Sequence, residues 1–345
     1  MRDIRELALA TVVQTRDWTP PFDPPTKWGE NEERTTVAAA ANWIHRSAMR
    51  NVLLSTACAL MLFAPVRAEP LRVVASTSDL AAVAREIAGP AVQIDVICRP
   101  DQDPHSFDIL PRQVVLVQRA DVYLKVGVAL DPWADDLIRS ADNPRLVVVD
   151  CSREIEIIGG APGENEAEEH THPAGNPHYW LGPANLPQIA RNIRDGLLRA
   201  DPTASERLTA SCEAFAARAD SALQNWREIL APCRGTSIVT THASWDYFAR
   251  DFGLRVAGVV SHVPDAEPSP AHLARLEEII RAGGARVFLK EPFTSGRVAQ
   301  VLARDTGIQV MAAPPSVGAL PQCTDVWSHF DYLARELAAH CRGSR

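Results

Sequence analysis

From Leu71 onward, short runs of β-branched and other apolar residues alternate with longer stretches whose apolar positions recur every three or four residues. The short runs predict buried β-strands, and the periodic stretches predict amphipathic helices. Because strands and helices alternate, each group of strands predicts a parallel sheet, and the chain as a whole predicts an α/β fold with two (β/α)4 lobes. The predicted strands are residues 71–77, 92–97, 121–127 and 146–151, then 237–241, 254–260, 286–289 and 309–312.

The longest helical pattern lies between the two groups of strands, over residues 204–231. At about 1.5 Å per residue, a helix of this length would span roughly 40 Å. We predict that this one long, rigid helix joins a first lobe (69–203) to a second lobe (232–345) and limits how far the lobes can open. Its apolar positions are Leu208, Cys212, Phe215, Ala219, Leu223, Trp226 and Leu230.

The stretch before the first lobe has a different pattern. Residues 1–48 are polar and show no sustained period, whereas residues 49–68 combine a basic start, an apolar run and a small residue at the end. This second pattern is typical of a secretory signal peptide, here cleaved after Ala68, and its apolar run is shorter than the roughly twenty residues that span a membrane. We therefore expect Met49 to be the true start, residues 1–48 to be non-native, and the protein to be periplasmic. A disordered extension ahead of a membrane anchor is the alternative.

Composition and charge narrow the classes of partner. The net charge is −8 and no basic stretch interrupts the chain, so nucleic acid is not an expected partner. The exported part keeps an even number of cysteines, which permits disulfides, but their spacing does not select a pairing and includes no CxxC motif. These cysteines are Cys98, Cys151, Cys212, Cys233, Cys323 and Cys341.

Three histidines carry the candidate chemistry. His105, His178 and His242 each lie in a short polar segment where a predicted strand gives way to a loop or helix. Loops at the ends of parallel strands are where α/β proteins collect ligand-binding groups. Zn(II) prefers imidazole nitrogen and four ligands, whereas manganese prefers sites richer in carboxylate and water, so this set favours zinc.

The remaining histidines carry less weight. His170 and His172 end an acidic stretch that starts at Glu164. This stretch is either a weak accessory metal site or a solvated loop with incidental histidines, and the sequence leaves both interpretations open. We expect the other histidines of the exported part to be structural: His262, His272, His329 and His340.

Seven segments between about Arg72 and His340 carry a family resemblance: Asp103-Pro104-His105, Asp131-Pro132-Trp133, Asn176-Pro177-His178-Tyr179-Trp180, Thr241-His242-Ala243-Ser244-Trp245-Asp246-Tyr247-Phe248, Glu267-Pro268-Ser269, Lys290-Glu291-Pro292-Phe293 and Asp305-Thr306-Gly307. In their order and spacing the chain resembles the periplasmic solute-binding proteins of zinc and manganese ABC importers. The resemblance implies two lobes, a rigid connecting helix and a metal ion buried between the lobes. It also implies that His105 and His178 from the first lobe, and His242 from the second, bind the metal, and that the partner is a membrane permease.

The chain departs from this family at one point. The family usually supplies an aspartate after the last strand, but residues 312–318 contain no carboxylate here. The fourth ligand of the metal is then either water or Glu291. We expect a monomeric zinc-binding protein without enzymatic activity. The alternatives are a manganese- or iron-binding member of the same family and a zinc-dependent hydrolase, although no HExxH motif or nucleophile elbow is present.

Overall fold

The computed structural model describes residues 69–105, 107–159, 175–261 and 267–342. The expectations for residues 1–48, for the signal peptide at 49–68, and for His170, His172 and His262 lie outside these ranges. None of the described helices is both long enough and apolar enough to cross a membrane.

The first lobe is a parallel four-stranded sheet in the order β2-β1-β3-β4. The central strand β1 is apolar along its length, and Val73, Val74 and Ala75 are all buried because helices cover both faces of the sheet. The strands are β1 (Leu71–Ala75), β2 (Val92–Val96), β3 (Val122–Lys125) and β4 (Val147–Asp150); the helices are α1 (Ser78–Ala88), α2 (Pro111–Gln118), α3 (Pro132–Ala141) and α4 (Leu186–Ala200).

The second lobe repeats this plan, with a parallel sheet in the order β6-β5-β7-β8. Both predicted sheets are therefore confirmed, with strands zero to three residues shorter than the apolar runs suggested. The strands are β5 (Ser237–Thr240), β6 (Arg255–Val259), β7 (Val287–Lys290) and β8 (Gln309–Ala312). The helices are α6 (Asp246–Phe252), α7 (Pro270–Arg281), α8 (Gly296–Thr306) and α9 (Val326–Arg342), numbered after the long helix α5.

The long helix α5 (Ser205–Ile229) has 25 residues, within two residues of the prediction at each end. Its buried stripe consists of the predicted apolar positions from Leu208 to Trp226. This stripe belongs to one hydrophobic core that also includes Tyr179 of the first lobe and Phe248 of the second. The helix therefore packs into a core that is continuous between the lobes.

On the outer face of this core, polar groups of both lobes meet at α5. Glu86 of α1 accepts a hydrogen bond from Trp327 Nε1 at 2.8 Å and forms an ion pair with Arg218 of α5 at 3.4 Å. The Arg218 guanidinium also lies over the Trp327 ring, 3.9 Å from its centroid. These three side chains connect α1, α5 and α9. We call them the rear contact.

A disulfide joins Cys233, just after α5, to Cys341 near the end of α9, and closes a loop of 108 residues. Spacing alone could not select this pair. The four other cysteines of the described chain are buried free thiols: Cys98, Cys151, Cys212 and Cys323.

Candidate metal centre

The three predicted histidines meet between the two lobes. His105 lies in the loop that follows β2, His178 in the loop that precedes a short 3-10 turn (Tyr179–Leu181), and His242 two residues after β5. One ring nitrogen from each lies within 4.8 Å of the others, and in the described ranges no other group of three or more histidine, cysteine or acidic side chains meets in this way. The ring centroids are 5.0 to 5.4 Å apart. The structure thus brings the three side chains together, and their binding of a metal stays a prediction.

His105 is positioned by the turn that contains it. Its backbone N–H donates to Asp103 Oδ1 at 2.9 Å, and the carbonyl of Pro104 accepts from Trp133 Nε1 at 2.8 Å. Trp133 lies in the first turn of α3, after Asp131 and Pro132. The sequence motif at the start of α3 therefore supports the loop that carries the first histidine.

His178 is buried, with 3% of its surface exposed. Its Nδ1 lies 2.8 Å from Asn176 Oδ1, and its ring packs against Trp180 at 5.2 Å between centroids. Trp180 in turn donates from Nε1 to the carbonyl of Pro315 in the second lobe, at 2.9 Å. The first-lobe histidine is therefore held partly by contacts that cross to the other lobe.

His242 is half-buried, and its Nδ1 lies 3.3 Å from the carbonyl oxygen of Ser261. The preceding residue, Thr241, donates its backbone N–H to the carbonyl of Leu289, which continues the pairing of β5 with β7 beyond the end of the strand. The second-lobe histidine thus follows directly from the central strand of its sheet.

The partners of the ring nitrogens define the protonation of two of these histidines. A carbonyl or amide oxygen only accepts hydrogen bonds, so in a neutral ring Nδ1 carries the proton of His178 and of His242. In that neutral form Nε2 of each ring keeps its lone pair, and Nε2 of His178 lies 3.0 Å from Nε2 of His105. A neutral imidazole whose other nitrogen donates to an oxygen is the usual form of a histidine that binds a metal.

Glu291 follows β7 and lines the same cavity as the histidines, with 4% of its surface exposed. Its Oε1 accepts from Ser244 Oγ at 3.2 Å. Burial raises the pKa of this carboxyl to about 7, opposed by the Ser244 hydrogen bond and reinforced by the negative charge of Asp103. Its carboxylate oxygens are not among the atoms that meet within 4.8 Å, so the side chain lies beside the three histidine nitrogens rather than among them.

The other described histidines lie elsewhere and make structural contacts. Nε2 of His272 is 2.8 Å from the carbonyl of Val259, and Nδ1 of His340 is 2.8 Å from the carbonyl of Glu336. His329 is fully enclosed, and burial lowers its pKa to about 4. None of the three joins the cluster.

Sequence analysis missed two residues at this centre, Asn176 and Tyr247. Both lie within the segments that carry the family resemblance and contain His178 and His242, and their position close to a candidate ligand was the only available signal. Their contacts depend on how the two lobes meet, which the pattern of one segment does not reveal.

A comparison with known protein families places this geometry in context. The family described as zinc-uptake complex component A, periplasmic (ZnuA), matches residues 73–337. The chain belongs to the ZnuA family. This is a family of solute-binding proteins, not of enzymes, and the match includes all three histidines and both sheets except the first two residues of β1.

Individual relatives of this ZnuA-family chain are distant. The zinc-binding lipoprotein AdcA of Streptococcus pneumoniae (strain ATCC BAA-255 / R6) is 24% identical over 273 residues, which cover 77% of this chain and 54% of the relative. The high-affinity zinc uptake system protein ZnuA of Bacillus subtilis (strain 168) is 24% identical over 246 residues, which cover 70% of this chain and 77% of the relative. The chain spans about half the length of the AdcA relatives that it matches.

Solved structures of similar proteins share the fold. A ZnuA deletion mutant with zinc bound aligns with a TM-score of 0.67 at 24% identity, over 78% of this chain and 97% of the other. The solute-binding protein FpvC of Pseudomonas aeruginosa in complex with Mn²⁺ aligns with a TM-score of 0.69 at 18% identity, over 80% and 100%. Solved proteins of this fold thus include one with zinc bound and one with Mn²⁺ bound.

Proposed function

We propose that this chain captures Zn(II) outside the cytoplasm and delivers it to the permease of an ABC importer, without chemistry on the metal. The ligands are His105, His178 and His242. The observation that carries the proposal is the meeting of three imidazole nitrogens within 4.8 Å, supplied by both lobes. The family description and the names of the zinc-binding relatives support the same cargo.

The ligand set favours zinc over manganese or iron. Three imidazole nitrogens and one open position match tetrahedral zinc, whereas manganese would be expected to recruit more carboxylate oxygen. Glu291, a buried carboxylate that lines the same cavity, lies outside the cluster, and the loop after β8 lines the cavity with Pro315 and Ser316 instead of an acid.

Water is the fourth ligand in this proposal. Glu291 then acts on the metal only through its charge, and Glu291→Gln weakens zinc binding only slightly. X-ray absorption would show three nitrogens and one oxygen in both proteins. If Glu291 coordinates the metal directly, the substitution costs as much affinity as the loss of one histidine, and the oxygen contribution changes.

The ligands also favour transport over hydrolysis. An open water position is shared with catalytic zinc sites. Here, however, the ligands are divided between two lobes, so a change in lobe position alters the coordination and can release the ion.

The exported protein acts as a monomer, and its mature form begins after Ala68.

Metal analysis of the protein purified from its native compartment, followed by competition with a chelator of known affinity, tests the proposal. We expect one tightly bound zinc per chain, lost in the combined alanine variant of His105, His178 and His242. A matched control is His272→Ala, because the His272 ring bonds to the carbonyl of Val259 in its own lobe and lies outside the cluster. Tight zinc binding that survives the combined substitution would end the proposal.

A further inference from the structure

The side chain of Asn176 uses both ends of its amide at the centre. Its oxygen accepts hydrogen bonds from the backbone N–H of His178 at 3.0 Å and from His178 Nδ1 at 2.8 Å. Its nitrogen donates to the carbonyl of Ala243 at 3.0 Å and to Asp246 Oδ2 at 2.8 Å. A backbone carbonyl and a carboxylate are acceptors, so the orientation of the amide is fixed by its partners.

This orientation sets the tautomer of His178. Because Asn176 Oδ1 has no hydrogen to give, the proton of the neutral imidazole must be on Nδ1. The lone pair is then on Nε2, which is the nitrogen that faces His105. A neutral imidazole without this partner would distribute the proton between its two nitrogens.

The backbone of Asn176 is held as firmly as its side chain. Its N–H donates to the carbonyl of Ile158 at 2.8 Å, and its carbonyl accepts from the Tyr247 hydroxyl at 2.7 Å. The same hydroxyl accepts from the N–H of Ile158 at 3.0 Å. Tyr247 belongs to α6 of the second lobe and is fully buried. Asn176 is therefore fixed by groups from both lobes.

We propose that Asn176 is a positioning residue for the metal centre. It holds His178 in the Nδ1–H tautomer and aligns this first-lobe ligand with the second-lobe segment that starts at His242, one residue before Ala243. Docking of the lobes then organises the ligands before the ion arrives. This inference rests on the proposed zinc function, since it concerns the ligands of the same ion.

Two substitutions separate the contacts of Asn176. Asn176→Ala removes all of its side-chain bonds, and we expect zinc affinity to fall by about 10- to 100-fold, the usual cost of losing the hydrogen-bond partner of a ligand. Asn176→Asp keeps the acceptor for His178 Nδ1 but loses the donors to the second lobe and puts a second carboxylate beside Asp246. Its affinity should lie between those of Asn176→Ala and the wild-type protein.

The tautomer provides a readout that a general loss of stability would not change. In ¹⁵N-histidine-labelled protein without metal, long-range proton–nitrogen spectra should show His178 as Nδ1–H in the wild-type protein and in Asn176→Asp. In Asn176→Ala the proton should move towards Nε2. Asn143→Ala is the matched control, because Asn143 also donates from its amide to two carbonyls of the first lobe, those of Val117 and Ala120. It should lose stability while keeping zinc affinity and tautomer.

The outcomes are separable. Wild-type zinc affinity in Asn176→Ala, or Nε2–H in Asn176→Asp, would overturn the role of Asn176 while leaving the zinc function intact. If the alanine variant does not fold, the aspartate variant decides through its tautomer and affinity. Absence of zinc binding in the wild-type protein would instead contradict the proposed function itself.

Discussion

The two sides of the interface between the lobes differ in chemistry. We call the side with the three histidines the front and the side with α5 the rear. At the front, the three histidines lie on loops, and hydrogen bonds from residues such as Asn176 and Trp180 connect these loops across the lobes. At the rear, α5 is buried in one continuous apolar core, covered by the Glu86, Arg218 and Trp327 contact. Exposed ion pairs contribute little, about 0–1 kcal/mol, so the rear depends mainly on packing.

Because of this difference, we expect the front to determine zinc affinity and the rear to determine the stability of the fold. Apolar packing holds a fixed geometry because protein interiors are close-packed and resist small displacements. Polar loop contacts can be removed one by one with a modest loss in the free energy of unfolding, since the net contribution of a hydrogen bond is about 1 kcal/mol. We therefore expect substitutions at the front to change zinc affinity with little effect on folding, and substitutions at the rear to do the reverse.

The largest effect is expected at the front. His242→Ala removes the second lobe's imidazole, leaving two protein ligands in the cluster, and should weaken zinc affinity by orders of magnitude. The metal-free variant should unfold at nearly the wild-type temperature, because the ring is half-buried and its hydrogen bond to the carbonyl of Ser261 is long, at 3.3 Å. Chelator competition and calorimetric unfolding measure the two quantities. A large loss of stability in the metal-free variant would show that the front also carries the fold.

The disulfide gives the reverse case. Cys233→Ser together with Cys341→Ser opens a loop of 108 residues, and we expect the free energy of unfolding to fall by about 2–5 kcal/mol. Zinc affinity should stay the same because neither cysteine lies near the histidines. Denaturant unfolding under oxidising conditions measures the loss. The control is Cys212→Ser, which removes a buried thiol that forms no disulfide.

A smaller effect comes from Asp79, near the start of α1, whose Oδ1 accepts from the N–H of Val317 in the second lobe at 2.9 Å. Burial raises the pKa of this carboxyl from 3.8 to about 7, opposed by the Val317 hydrogen bond. The folded state therefore binds the proton more tightly than the unfolded chain. The resulting stabilisation is complete below about pH 4 and is lost as the pH rises through about 7.

Asp79→Asn removes this dependence while keeping an oxygen acceptor for Val317. The free energy of unfolding of the variant, relative to that of the wild-type protein, should be higher at pH 8.5 than at pH 5.5. At about 1.4 kcal/mol per pKa unit, this change should amount to up to a few kcal/mol. Unfolding temperatures of both proteins at the two pH values provide the test, and the titration of His329 cancels in the difference. If Asp79→Asn changed the unfolding temperature by the same amount at both pH values, Asp79 would not take up a proton on folding.

The smallest expected change concerns overall shape. Because the core is continuous between the lobes along α5, zinc binding should alter the radius of gyration very little. Small-angle scattering with and without zinc measures this directly. A clear contraction on binding would show that the rear opens, and that the front and rear do not differ as described.

Much of the fold was accessible from the sequence because its elements are defined locally. The strands are buried runs such as that ending at Ala75, and α5 shows a strict apolar stripe. The three histidines could be selected because each lies in a short polar segment; His105 and His242 follow strands β2 and β5, whereas His178 precedes a 3-10 turn. Asn176, the Cys233–Cys341 pair and the placement of Glu291 beside the cluster could not, because each depends on distances between segments far apart in the chain.

The hydrogen bond between Asn176 N–H and the carbonyl of Ile158 affects how freely the length of the segment between these two residues can change. The two residues on either side of the acidic stretch are held together directly, and the Tyr247 hydroxyl bonds to both. Insertions or deletions between them therefore need not disturb His178. Each doubling of such a connection costs only about 0.6 kcal/mol of closure entropy, so its length and histidine content are open to change while the metal centre keeps its geometry.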